Sequence, residues 1–414
     1  MNSQIALSLT ILQTPPIQDL LKARKVLLLQ GPIGPFFKHF GAWLNTQQIE
    51  VSKVNFNGGD WWYGRGIKAY NYKLAPSCFD IWLRQLILEQ KFDAIVCFGD
   101  CRPPHLIAKI VCQQLNIDFF AFEEGYIRPD YVTFEKQGVN SNSIWAQANY
   151  ELKAVKNPKP LNANQQFKTM VGYALIYYFA MLLGKPWFLH YGHHRNLSMP
   201  VEALSWIKSG LRKITGRQTD YAAMKQIEQH FENRYFICAL QVFNDYQIRI
   251  HSDYADIGEF IQQVIQSFAA NADSQHVLVF KHHPMDRGYR NYTALIEQTA
   301  KSLSIASRVF YVCDVHLPTL IEHSIGMVTI NSTTGMQSLY RDKPVKVMGR
   351  AIYNHPGITA QMPLDQFWRQ HAQVDMSRYP LFKQNLIYFT QLNGSFYGDM
   401  PWMKQLSYFK KKVL

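Results

Sequence analysis

Residues 92–129 read "FDAIVCFGDCRPPHLIAKIVCQQLNIDFFAFEEGYIRP". An apolar run, 92–100, closes on a Gly-Asp turn. A segment with helical spacing follows, 103–116, and opens on proline, whose missing N–H is harmless in a first helical turn. A second apolar run, 117–122, ends in Glu123, Glu124 and Gly125. Strand, helix and strand in that order predict the repeating unit of a parallel α/β sheet.

The same rhythm surrounds it. "KVLLL" (25–29) reads as a strand, "QGPIGP" as a tight loop and "FFKHFGAWLNTQ" (36–47) as a helix. A second series begins near 234, where "YFICALQV" (235–242), "HVLVF" (276–280), "RVFYV" (308–312), "GMVTIN" (326–331) and "PVKVMG" (344–349) read as strands. Helical stretches such as "IGEFIQQVIQSFAANA" lie between them. A chain of 414 residues also exceeds one ordinary core, so two α/β domains are expected. The boundaries read as 1–190 for a first Rossmann-like domain and 191–230 for connecting helices. A second Rossmann-like domain follows at 231–375, then C-terminal helices at 376–414 that can cross back to the first. Two doubly wound domains facing one another put their strand C-termini at a shared cleft.

With 47% hydrophobic and 18% charged residues the chain is globular. The net charge of +13 favours anionic partners: small molecules, polyanions or an anionic membrane face. The basic residues do not interleave with aromatics in a nucleic-acid module, so no nucleic acid is expected. None of the six cysteines forms a CxxC pair, which argues against a zinc knuckle. The first residues carry neither a basic n-region nor a small-residue cleavage site, so no secretory leader is expected. Segment 169–184, between Lys168 and Lys185, has 16 uncharged residues. That is short of the roughly 20 a bilayer span needs, and it reads as a buried or interfacial helix. The basic and aromatic material at 168–213 and the lysines at the C-terminus are candidates for membrane contact.

Four stretches carry candidate chemistry. In "QGPIGPFF", Gly31, Pro32 and Gly34 precede a helix start that could face an anion; a tight turn explains the glycines equally well. Glu123 and Glu124 stand at a strand end, where a base or nucleophile is commonly placed; a salt bridge to Arg128 is the structural alternative. In "KHHPMDRG" (281–288), His283 before Pro284 could donate to a phosphate, with Lys281 and Arg287 adding positive potential; a solvated basic turn is the alternative. Adjacent His282 and His283 suit no single metal ion, and HExxH is absent. Finally, Asn331 ends a strand, and Ser332, Thr333 and Thr334 open a helix, an anion site with more hydroxyls than one cap requires.

The order "EEG" (123–125), "HP" (283–284) and "STT" (332–334) resembles the motifs of bacterial CMP-sugar glycosyltransferases, sialyltransferases included. The longer stretches "LLLQGPIGPFF", "FEEGYIRPDYVTFE", "KHHPMDRG" and "NSTTGMQSLYRDKPVKVMGRAIYNHPG" are similar to the capsule polysaccharide biosynthesis family of KpsS/LipB type, from about 25 to 360. That resemblance implies a GT-B fold and a retaining β-Kdo transferase using CMP-Kdo. It implies a phosphatidylglycerol-type lipid acceptor at the cytoplasmic face of a Gram-negative inner membrane, with other capsule assembly proteins as partners. His283 and Pro284 are then expected at the CMP phosphate, and Ser332, Thr333 and Thr334 around the phosphate and nucleotide. Glu124 becomes the nucleophile, with Glu123 its rival because relatives often carry Asp as the second acid. Lys281, Arg128 or Arg287 would hold the Kdo carboxylate. No cofactor and no metal are expected. The alternatives are another CMP-sugar transferase, or a non-catalytic capsule export or scaffold protein.

Overall fold

The computed structural model describes residues 15–147, 152–192, 199–243, 248 and 251–404. The chain divides into two compact units, residues 1–194 with 381–414, and residues 195–380. In chain order the first unit has α1 (Pro16–Leu20), β1 (Lys25–Leu28), α2 (Phe36–Thr46), β2 (Glu50–Asn55), α3 (Gly58–Tyr63) and β3 (Lys68–Asn71). It continues with α4 (Phe79–Gln90), β4 (Ala94–Phe98), α5 (Pro103–Leu115), β5 (Asp118–Glu124), β6 (Tyr131–Lys136), α6 (Ile144–Gln147) and α7 (Phe167–Gly184). Next come α8 (Met199–Thr215), α9 (Arg217–His230), β7 (Tyr235–Ala239), α10 (Ile257–Asn271), β8 (Val277–Lys281), α11 (Thr293–Ser302) and β9 (Val309–Val312). The rest are α12 (Leu317–Glu322), β10 (Gly326–Thr329), α13 (Thr334–Leu339), β11 (Val345–Val347), α14 (Leu364–Gln370), α15 (Tyr379–Thr390) and β12 (Gln391–Asn393).

The first sheet runs β12-β6-β5-β4-β1-β2-β3, parallel except for β6, which is antiparallel to both its neighbours. Its central parallel strands β1 and β4 are buried on both faces, so they are apolar at nearly every position. Val26 and Leu28 face one core with Phe36, Phe40, Phe120 and Phe122. Leu27 and Leu29 face the other with Leu83, Ile87, Ile95 and Val111. Each such side chain contributes about 1.5–3 kcal/mol on burial. The second sheet, β11-β10-β7-β8-β9, is wholly parallel. Phe236, Phe260, Phe268, Phe280 and Trp368 form its largest core. Both units are therefore Rossmann-like α/β folds, the class expected.

The strands expected between 25 and 122, and between 235 and 349, form within one to three residues of their predicted ends. Four others are additional to the sequence reading. Strand β2 hides in "EVSKVN" because its polar residues are buried: Lys53 Nζ reaches Asn55 Oδ1 at 2.9 Å and the Asp60 carbonyl at 3.2 Å. Strand β3 is an edge with mostly exposed residues. Strand β6 folds back antiparallel on β5, pairing Thr133 with Glu123, and β12 adds to it from the end of the chain. Helices α8 and α9, within the span read as connecting helices, fall in the second unit, where α9 packs on β9. The apolar segment at 169–184 becomes part of a longer helix, Phe167–Trp187, of 21 residues. Among the described residues this one helix has the length and composition to cross a membrane.

Candidate active site

In each sheet the strand order reverses once, between β1 and β4 in the first and between β7 and β10 in the second. Loops leaving the strands on either side of such a point diverge and open a crevice at the strand C-termini, the usual ligand position in open α/β sheets.

At the first reversal, Gln30 follows β1 and Arg102 follows β4. The Arg102 guanidinium donates to Gln30 Oε1 at 2.9 Å and to the Gly31 carbonyl at 3.4 Å. Glu123, on neighbouring β5, lies over Gly99: a Cβ there would meet Glu123 Oε2 at 3.6 Å and Arg102 Nε at 3.5 Å. Glu123 Oε1 accepts the Glu124 N–H at 3.0 Å. Desolvation raises the Glu123 pKa to about 7, and the charges of Glu124 and Asp100 push the same way, against Arg102 and the bond from the Glu124 N–H. A carboxyl tuned to neutrality at a strand end is suited to holding and returning a proton. Successive side chains alternate across a strand, so Glu124 projects to the face opposite Glu123. Arg128 is exposed and donates from Nε to the Gly125 carbonyl at 3.1 Å.

A polar cluster extends this site. Gln30 Nε2 donates to Asp60 at 3.2 Å, to Tyr177 at 3.2 Å and to Tyr191 at 3.1 Å. The Tyr177 hydroxyl donates to Asp60 Oδ1 at 3.0 Å and accepts from Asn57 at 2.9 Å. Gly31, Pro32 and Gly34 form the turn beside it. Gly34 has φ +121°, and a side chain there would strike the Tyr173 ring at 2.6 Å. These glycines thus let the chain pass close to its own aromatics.

At the second reversal, Gln241 after β7 and Asn331 after β10 clasp each other. Gln241 Nε2 donates to Asn331 Oδ1 at 2.9 Å, and the Asn331 N–H donates to Gln241 Oε1 at 3.2 Å. The following loop is held by the buried Tyr353 hydroxyl, which donates to the Ser332 carbonyl. The Ser332 hydroxyl accepts the Thr334 N–H at 3.2 Å and shares a 2.8 Å bond with the Thr334 hydroxyl. Ser332 therefore ties the loop to the first residue of α13. The Thr333 hydroxyl makes no protein hydrogen bond among the described residues. Helix α13 has only six residues, so the loop N–H and hydroxyl groups dominate over any helix dipole.

The His-Pro turn leaves β8. His283 Nδ1 accepts the Met285 N–H at 3.2 Å, which keeps the proton of the neutral ring on Nε2. Pro284 opens a short 3-10 turn. His282 instead is buried against Tyr292 and Tyr311, with Nδ1 2.9 Å from the Tyr311 hydroxyl. Burial lowers its pKa to about 4. Lys281, expected to face the ligand, is buried, and its Nζ donates to the His282 carbonyl at 2.9 Å and to the Cys313 carbonyl. Arg287 pairs with Asp314 and donates to Ser209 at 3.3 Å. These two cations brace the turn. Arg287 borders a cavity of about 530 Å³ that includes Arg212, Asp220, His282 and Tyr311 in its wall.

Sequence reading missed Gln30, Arg102, Gln241 and Tyr353. The first three sit in loops directly after strands, a position signal that was available. Tyr353 had none, because only folding brings it back to Ser332.

An α/β chain with acids at one strand-order reversal and a clasped hydroxyl loop at the other belongs to the broad class of two-unit Rossmann proteins. More narrowly, residues 93–397 match the family model described as capsule polysaccharide biosynthesis protein, and the chain belongs to that family. It is 40% identical over 381 residues to the capsule polysaccharide export protein KpsS of Escherichia coli, covering 91% of this chain and 98% of that one. It is 37% identical over 401 residues to the capsule polysaccharide modification protein LipB of Neisseria meningitidis serogroup B, covering 93% and 94%. Among solved structures, the β-Kdo 2,7 transferase of Thermosulfurimonas dismutans KpsC matches 88% of this chain and 91% of that one, at 12% identity and a TM-score of 0.43.

Proposed function

We propose that the protein is a retaining β-Kdo transferase. It moves Kdo from CMP-Kdo to a phosphatidylglycerol-type lipid at the cytoplasmic face of the inner membrane, and so starts the linker of a Gram-negative capsular polysaccharide. Membership of the capsule polysaccharide biosynthesis family supports the pathway. The observation that carries the chemistry is the pair Glu123–Glu124 at the end of β5, with Arg102 beside Glu123 and one carboxyl titrating near 7.

In this reading the Glu124 carboxylate attacks the anomeric carbon while the bond to the CMP phosphate oxygen breaks, and CMP departs with the bonding electrons. The lipid hydroxyl then attacks the same carbon, Glu124 leaves, and the hydroxyl proton passes to a phosphate oxygen of the departing CMP. His283, through Nε2–H, and the Thr333 hydroxyl donate to the leaving phosphate. Arg128, exposed beside the acids, holds the sugar carboxylate; Lys281 is already bonded inside the fold and drops out of that role. No metal takes part in this proposal.

The raised pKa of Glu123 favours a second mechanism, an inverting transfer with Glu123 as general base. Incubation with CMP-Kdo and a phosphatidylglycerol analogue, followed by mass spectrometry, tests the activity, and the product anomer by NMR separates the mechanisms. Release of CMP only from a different CMP-sugar would replace the donor. Absence of both CMP binding and transfer would leave a non-catalytic role in capsule export.

A further inference from the structure

Helix α7 is apolar on every side, yet most of it is uncovered. Such helices are ordinarily buried in protein or in lipid. One face is held tightly. Tyr173, Tyr177, Ala180 and Gly184 recur at helical spacing and pack on α3 and the loop of Gly34. A Cβ at Gly58 would sit 2.1 Å from the Ala180 carbonyl oxygen, and one at Gly59 would sit 2.6 Å from the Tyr177 ring. The outer face carries Phe167, Leu175, Phe179, Leu182 and Leu183, each at least half exposed, and Trp187 follows at 64%.

The surroundings specify what covers it. Trp61 and Trp62 of α3 are exposed next to the same helix, and tryptophan favours the boundary of water and acyl chains. Between Glu151 and Glu202 the sequence has no acidic residue, five lysines and one arginine. Lys168 and Lys185 flank the apolar stretch, where long basic chains can reach headgroups. From Tyr173 to Gly184 the helix is fastened side-on to α3 and the loop of Gly34, which favours a helix lying on the bilayer over one that spans it.

We propose that α7 is the membrane-docking surface of this protein, lying in the plane of an anionic bilayer with its outer face in the acyl boundary. Tyr177 on its inner face is bonded to Asp60 and Gln30, so the polar cluster that Arg102 joins to Glu123 begins within about one helix diameter, roughly 10–12 Å, of that boundary. A lipid acceptor could then react without leaving the membrane. This last consequence rests on the transferase reading; the docking itself does not.

The test is flotation of the full chain with vesicles of phosphatidylcholine alone or mixed with phosphatidylglycerol, without any donor. The protein is expected to float with the mixed vesicles, about tenfold less well with phosphatidylcholine alone or in high salt. Phe179→Glu with Leu182→Glu should lower flotation at least about tenfold. The unchanged thermal midpoint and unchanged transfer to a detergent-dispersed acceptor would show that the fold survives. Lys168→Glu with Lys185→Glu, which alters no apolar contact, should remove the preference for phosphatidylglycerol. Wild type that floats with neither vesicle, or a Phe179/Leu182 variant that floats like wild type, overturns the proposal. So does self-association that this variant abolishes in the absence of vesicle binding, since the face would then belong to a second copy. Flotation without transfer would sink the transferase reading alone; transfer to dispersed acceptor without flotation would sink docking alone.

Discussion

At the reversal of strand order in the first sheet, a carboxyl stands beside a guanidinium, Glu123 and Arg102; at the same point in the second, two amides clasp, Gln241 and Asn331. The backbone plan is shared, because parallel strands with crossover helices open a crevice wherever their order turns. What occupies the crevice differs. In the first unit a half-buried acid is pushed up to about 7, and in the second a buried histidine is pushed down to about 4. Both shifts have burial as their leading cause and both favour the neutral form. The outcome differs because Glu123 is at the crevice and can exchange its proton, whereas His282 is packed against two tyrosines and bonded to one of them. Its neighbour His283 is the one left at the surface of the turn.

Glu124→Gln removes the carboxylate placed as nucleophile in the first unit. Transfer should fall at least about a hundredfold, with CMP binding by calorimetry unchanged. A wild-type rate would remove the nucleophile from the first unit. Next, Gln241→Ala or Asn331→Ala should raise the donor KM about tenfold by releasing the hydroxyl loop. The double variant should be little worse than either single one, because both remove the same clasp. Fully additive losses would mean that the two amides contact the donor separately. Tyr177→Phe deletes one donor to Asp60 and should lower stability by about 1–3 kcal/mol, read by denaturant unfolding.

The subtlest is pH. Glu123 has a folded pKa of about 7 against an ordinary 4.5, so the folded state holds this proton more tightly than the unfolded chain. The associated stability is complete below about 4.5 and is lost as pH rises through 7. Glu123→Gln should flatten that part of the stability curve, with the largest slope removed near about 1.4 kcal/mol per pH unit. An unchanged curve would show that Glu123 is not the titrating group.

The parallel strands were legible because burial on both faces demands continuous apolar runs such as "AIVCF" and "YFICA". Strand β2 was not, because Lys53 and Asn55 are paired inside the fold, and pairing is invisible until folding supplies the partner. The acids, the His-Pro turn and the hydroxyl run were legible as residue types at strand ends. Their environments were not. Lys281 and His283 are two positions apart on one basic turn, yet the first is enclosed by carbonyls and the second is partly exposed.

The α/β class and the loops that carry acids, histidine and hydroxyls follow from local periodicity and residue identity, and the family shows in the longer motifs. Which of those groups is buried and which faces solvent was set by folding. It alone brought Arg102 to Glu123, Gln241 to Asn331 and Tyr177 to Asp60, and left the outer face of α7 bare. Solvation and pairing depend on residues distant in the chain, and those two effects set a charge's pKa and an apolar surface's need for a partner.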